Sequence, residues 1–137
     1  MKYLLSSLLL FCSFNAFAEH HGNHKSKNIL MPVAKPGQVI VIYKGECPSG
    51  KIDESIEIIK ETIAYERKNS PVSYSSSPGV WSDGHIGAVD LHDSKEAMEK
   101  AFKWQEKDKK WMDLYDQAAK TCGTTVEAFD VFNLGAR

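Results

Sequence analysis

From position 38 onward the chain alternates between two-residue and 3.6-residue hydrophobic repeats. Gln38 to Tyr43 (QVIVIY) is β-branched and apolar on both alternating faces, which predicts a central, doubly covered strand. Cys47-Pro48-Ser49-Gly50 punctuates it. Ile52, Ile56, Ile59 and Ile63 then fall on one stripe, with Glu54, Glu57, Lys60, Glu61 and Arg67 on the other faces. This predicts a helix from Asp53 to the Asn69-Ser70-Pro71 stop. Val72 to Trp81 is a weak, serine-rich strand that Pro78 confines to an edge or a bulge. Asp83-Gly84 is a turn signal, and His85 to His92 (HIGAVDLH) predicts another strand. Asp93 and Glu96 have capping-box spacing for one long second helix over 94–121, closed by Gly123. Val126 to Leu134 (VEAFDVFNL) predicts the last strand.

The first residues follow a different pattern. Met1-Lys2-Tyr3 is a short positive segment, Leu4 to Phe17 is largely apolar, and Ala16-Phe17-Ala18 has the small-x-small form that signal peptidase requires. Residues 1–18 are therefore expected to be a secretory signal peptide, making the protein periplasmic or secreted. The apolar run falls short of the about 20 residues needed to span a bilayer. Cys12 would suit a lipoprotein only with a small residue before it, and Phe11 stands there. Residues 19–37, with His20, His21, His24, Pro32 and Pro36, are expected to be a flexible tail ahead of a domain over 38–137. No later segment could cross a membrane.

Composition narrows the partners. The whole chain has 17 Lys+Arg against 18 Asp+Glu, a formal charge of −1, so nothing points to nucleic acid or an anionic membrane. The stretch Lys103 to Lys110 also holds Glu106 and Asp108 and is expected to be a solvated helix face. Loss of Cys12 with the leader leaves Cys47 and Cys122, and an isolated pair in an oxidising compartment is expected to bond.

The predicted order is β-α-β-β-α-β, an α+β ferredoxin-like subunit with two helices on one face of an antiparallel sheet. With the passage HIGAVDLHDSKEAMEKAF and a tryptophan-bearing second helix, the chain resembles the dimeric α/β-barrel superfamily, which includes antibiotic-biosynthesis-monooxygenase-like proteins. The resemblance implies that the last strand pairs antiparallel with the first, bringing Cys47, just past strand 1, beside Cys122, just before strand 4. It also implies a homodimer in which the partner's sheet covers the face opposite the helices. Heme-degrading members of that superfamily bind iron through a helix histidine. Neither predicted helix here has a histidine, which argues against heme.

Two places could carry chemistry. Cleavage after Ala18 would begin the mature chain Glu19-His20-His21; its amine, two amide nitrogens and an imidazole suit square-planar Cu(II) or Ni(II). No other cofactor is expected. The second place is the sheet. Gly87, Val89 and Leu91 form an apolar set suited to the helices, which would turn Ile86, Ala88, Asp90 and His92 to the opposite face. A covered Asp90 would have a raised pKa and could move protons. Asp130 and His92, with hydroxyls from Tyr43 and Tyr74, would complete a modest ligand pocket. The competing reading lets Asp90 and His92 reach solvent or cap the next helix, and puts Asp130 on an exposed edge and the tyrosines in packing. Trp104, Trp111, Met112 and Tyr115 are expected to be core or dimer-edge contacts. No serine-histidine-acid set, HExxH or phosphate-binding glycine loop is present. The expected function is thus a small-ligand-binding or structural homodimer, with a cofactor-independent oxygenase or isomerase on a small apolar substrate as the alternative, and metal binding at the N-terminus as another.

Overall fold

The computed structural model describes residues 32–137. The QVIVIY run becomes β1 (Val39–Gly45), and the isoleucine stripe becomes α1 (Ile52–Asn69). Next come β2 (Ser75–Val80), β3 (Ile86–His92), α2 (Lys95–Gln105), α3 (Lys109–Thr121) and β4 (Asp130–Gly135). The sheet order is β2-β3-β1-β4, and every pairing is antiparallel. This is the ferredoxin-like arrangement expected from the element order. β1 is central, and the proline-bearing β2 lies at an edge, where the missing amide of Pro78 breaks no interior ladder.

One long second helix was expected, but two form. The side chain of Asp108 accepts from the Trp111 backbone N–H at 2.9 Å and starts α3 as an N-cap. The Tyr65 hydroxyl donates to the same carboxylate at 3.1 Å, fixing the break against α1. The start of α2 also differs by one residue. Ser94 Oγ, not Asp93, accepts from Ala97 N at 3.1 Å, while Asp93 takes a hydrogen bond from Gln38 Nε2. The expected last strand is shortened, because Val126–Ala128 turns as a 3₁₀ segment before β4 begins.

The main core joins Ile59 and Ile63 of α1, Ile86 of β3, Ala118 and Ala119 of α3, and Phe129. Ser55, fully buried, donates to the Ala118 carbonyl at 3.0 Å and ties α1 to α3. A smaller cluster of Val39, Val41 and Met98 seats α2. Gly45 permits the Phe129 ring to lie against β1: a Cβ there would stand 2.5 Å from the ring. Gly87 has a similar role, since its Cβ would meet the Tyr43 carbonyl oxygen at 1.8 Å. The expected disulfide joins Cys47 to Cys122, Cα atoms 4.6 Å apart, linking the end of β1 to the end of α3.

The expected facing of β3 is reversed. Ile86, Asp90 and His92 are buried beneath the helices, and Val89 is partly exposed on the other side. Both alternating sets of β3 contain apolar residues, so parity defined the sets without orienting them. The outer face instead carries Ile40, Ile42, Val89, Leu91, Phe132 and Leu134 in one registered array. Phe132 and Leu134 are 54% and 60% exposed. Among the described residues, no helix is long and apolar enough to cross a membrane.

Candidate functional site

Because β3 turns its polar positions inward, a polar layer lies between sheet and helices. Asp90 is 2% exposed, flanked across the ladders by Val41 of β1 and Ser76 of β2. Cross-strand partners share a face, so Ser76 and Asp90 both point beneath the helices. From above, α1 contributes Glu66 at the next turn of its isoleucine stripe, and α3 contributes Trp111 and Tyr115. These side chains, with Tyr43, line a cavity of about 40 Å³. That volume holds roughly three waters, whereas a dry cavity of about 150 Å³ accepts benzene, so a ring-sized ligand must displace part of the wall. Part of that wall is aromatic: Tyr115 lies 5.0 Å from Trp111, 5.8 Å from Phe129 and 6.3 Å from Tyr43, centroid to centroid.

The two carboxyl groups differ in their surroundings. Glu66 Oε1 accepts from Trp111 Nε1 at 2.5 Å and from Gln105 Nε2 at 3.3 Å. Burial raises its pKa, while the Trp111, Tyr74 and Gln105 hydrogen bonds and the Arg67 charge pull it back. Asp90 has less support: its Oδ1 is buried without a hydrogen-bond partner among the described residues. Burial pushes its carboxyl up to about 7; the Glu66 charge adds to this, and the Ser76 hydroxyl opposes it. Asp90 can therefore change protonation near neutrality, the condition for acid–base work. The Tyr43 hydroxyl is likewise buried without a partner, and burial is the main reason its pKa is raised. Burial and the Asp90 charge push the Tyr115 phenol up to about 12.

Of the residues expected to form the site, Tyr43 and Asp90 meet in the cavity. Tyr74 and His92 form an adjoining layer. Tyr74 accepts from Gln105 Nε2 at 3.1 Å, and its ring stacks on His92 at 4.5 Å. His92 is fully buried, with neither ring nitrogen partnered among the described residues; burial lowers its pKa. Asp130 is absent from the site. It is exposed on β4 opposite Lys44, on the face away from Asp90, because Tyr43 pairs with Val131 and parity turns Asp130 outward. Trp111 and Tyr115, expected to be packing residues, are cavity walls. Glu66, Ser76 and Gln105 were not expected in the site. Glu66 was within reach of sequence reasoning, since it continues the Ile59–Ile63 stripe, where an acid has no place unless it is partnered. Glu19, His20 and His21 lie outside the described residues. Among the described residues, no three His, Cys, Asp or Glu side chains group as a metal site.

Fold and site together define a ferredoxin-like α+β domain with an acid-bearing aromatic cavity beneath its helices. The fold is the ferredoxin-like one that the element order predicted. The sequence matches no family model, and no curated protein is similar to it. Solved structures do match. A conserved protein from Methanosarcina mazei is 8% identical with a TM-score of 0.52, covering 73% of this chain and 93% of its own. A mutant of SnoaB, a cofactor-independent oxygenase from Streptomyces nogalater, is 13% identical with a TM-score of 0.49, covering 74% and 94%. A dimeric ferredoxin-like protein of unknown function from Jannaschia sp. is 11% identical with a TM-score of 0.46, covering 73% and 100%. At such identities the first of these shows a shared fold alone.

Proposed function

We propose that the protein is an exported homodimer that binds a small, mostly apolar molecule carrying one acidic C–H or O–H group, and that Asp90 accepts its proton. The observation that carries this reading is Asp90 itself, buried, with an unpartnered oxygen in an aromatic cavity and a carboxyl poised near 7. A proton acceptor works best with a pKa close to the working pH, and a water-poor cavity strengthens its interaction with a bound acid. Glu66 already accepts from Trp111 and Gln105, which leaves it less free than Asp90 to take a proton from a bound molecule. The phenols of Tyr43 and Tyr115 stay protonated, so they are available as donors to the anion formed. This arrangement needs no cofactor for proton abstraction. Export is supported by the signal-like start and by the Cys47–Cys122 bridge, a bond that persists in oxidising compartments. The dimer is supported by the registered apolar array on the outer sheet face.

The test is a panel of small phenols, enolisable ketones and aromatic carbon acids incubated with the protein in D₂O. Proton NMR follows C–H exchange, and an oxygen electrode reports whether the anion reacts further with dioxygen. Wild-type protein should accelerate exchange in at least one carbon acid, and Asp90→Asn should lose about 100-fold or more of that rate. Equal rates in the two proteins would refute the assignment.

A further inference from the structure

His92 takes no part in the proton transfer proposed for Asp90, yet it is fully buried and neither ring nitrogen has a partner among the described residues. The Phe102 ring of α2 stands edge-on to the imidazole at 6.2 Å, the Tyr74 ring stacks on it at 4.5 Å, and Val39 is its cross-strand partner. Met98 of α2 closes the same cluster over Val39 and Val41. The main core takes its buried residues from α1, β3, α3 and Phe129, and none from α2. α3 is held separately, through the Ser55–Ala118 bond, the Tyr65 bond to Asp108 and the Cys47–Cys122 bridge. We propose that α2 is an acid-released flap: protonation of His92 lifts it off Val39 and Val41 about the turn at residues 106–108, while α1, α3 and the sheet stay folded.

The groups around the ring set the direction. An imidazolium carries a charge and two N–H donors. Met98 and Phe102, packed there from α2, and Val39 from β1 offer neither an acceptor nor a negative charge. The Tyr74 hydroxyl is engaged with Gln105. On the same strand face, Asp90 holds its proton up to about 7 and so stays neutral as the pH falls further. The Asp93 carboxylate favours a charged ring, but it is held by Gln38 and burial outweighs it. Lifting α2 hydrates the ring, so each pH unit lost below about 6.5 favours the lifted state by up to about tenfold. Glu66 is the other acid tied to α2, accepting from Gln105 Nε2 at 3.3 Å, and its protonation would weaken that bond.

Methionine oxidation by hydrogen peroxide, read by peptide mass spectrometry, tests the proposal. Met98 is 8% exposed on α2 and Met112 is 40% exposed on α3, so the ratio of their rates follows α2 against an internal reference. That ratio should rise about tenfold or more between pH 7.5 and pH 5. Amides of α1 and α3 should stay protected from hydrogen exchange over the same range. In His92→Phe, which keeps an aromatic ring but takes no proton, the ratio should not change with pH. If that variant fails to fold, the His92 ring-proton NMR titration of the wild type replaces it, and its midpoint should coincide with that of Met98 exposure. A flat wild-type ratio would overturn the flap. A rise that persists in His92→Phe, or that departs from the His92 titration, would overturn His92 as the trigger and leave Glu66. Loss of α1 and α3 protection together with that of Met98 would mean global unfolding and would also overturn it.

Discussion

Asp90 and His92 sit two positions apart on one strand face and shift in opposite directions from the same cause. Burial disfavours charge on both, raising the carboxyl and lowering the imidazole. The consequences for stability follow from proton counts. The folded protein keeps the Asp90 proton up to about pH 7, whereas the unfolded chain releases it near pH 4. Folded protein therefore binds more protons across that window, and stability falls as pH rises through it. Replacing Asp90 with Asn should remove this slope and stabilise the fold at pH 8 by on the order of 4 kcal/mol. For His92 the unfolded chain binds the extra proton below about pH 6.5, so stability falls on acidification. Urea denaturation from pH 4 to 9 should thus show Asp90→Asn stability rising to about pH 6.5 and then levelling. A variant as unstable at pH 8 as the wild type would contradict the buried-carboxyl account.

At the level of elements, the strands and helices were legible because their patterns are strong: two faces of isoleucine and valine in β1, and a clean stripe in α1. What the sequence left ambiguous has a physical source in each case. The long second helix breaks at Asp108 because an aspartate side chain can satisfy backbone N–H groups as an N-cap, and it does so here with help from Tyr65. The facing of β3 was ambiguous because an inward aspartate is costly in isolation. Ser76, which favours its charged form, and the α1 and α3 residues that close over it come from distant segments. The Asp90–Tyr43 part of the site was therefore foreseeable as a set of residues but was assigned to the wrong face. Trp111 and Tyr115 become cavity walls only when α3 docks on α1 and the sheet. The bridge between the ends of β1 and α3 follows the strand pairing. Closing a loop of 75 residues, it should contribute about 4 kcal/mol on the chain-entropy model. The double variant Cys47→Ser/Cys122→Ser should show that loss by urea denaturation, and an unchanged midpoint would show that the bridge adds nothing to stability.

For the molecule as a whole, the two faces of the sheet have different roles. The helix side holds the polar layer and cavity, while the outer side presents Ile40, Ile42, Phe132 and Leu134 in register, with no helix over them among the described residues. Apolar side chains so arranged favour a cover, and the second copy of the proposed dimer would supply an identical one by two-fold symmetry. Light scattering should give a dimer for the wild type and a folded monomer for Phe132→Asp. A monomeric wild type at micromolar concentration would set the dimer aside. The cavity lies on the opposite face from this array, so Phe132→Asp should leave the Asp90 titration unchanged. That titration is the most direct test of the central claim. In protein carrying ¹³C-labelled aspartate carboxyls, one resonance, missing from Asp90→Asn, should titrate with a midpoint near 7. If every aspartate titrates in the ordinary carboxylate range, Asp90 is not the neutral-pH proton acceptor described here.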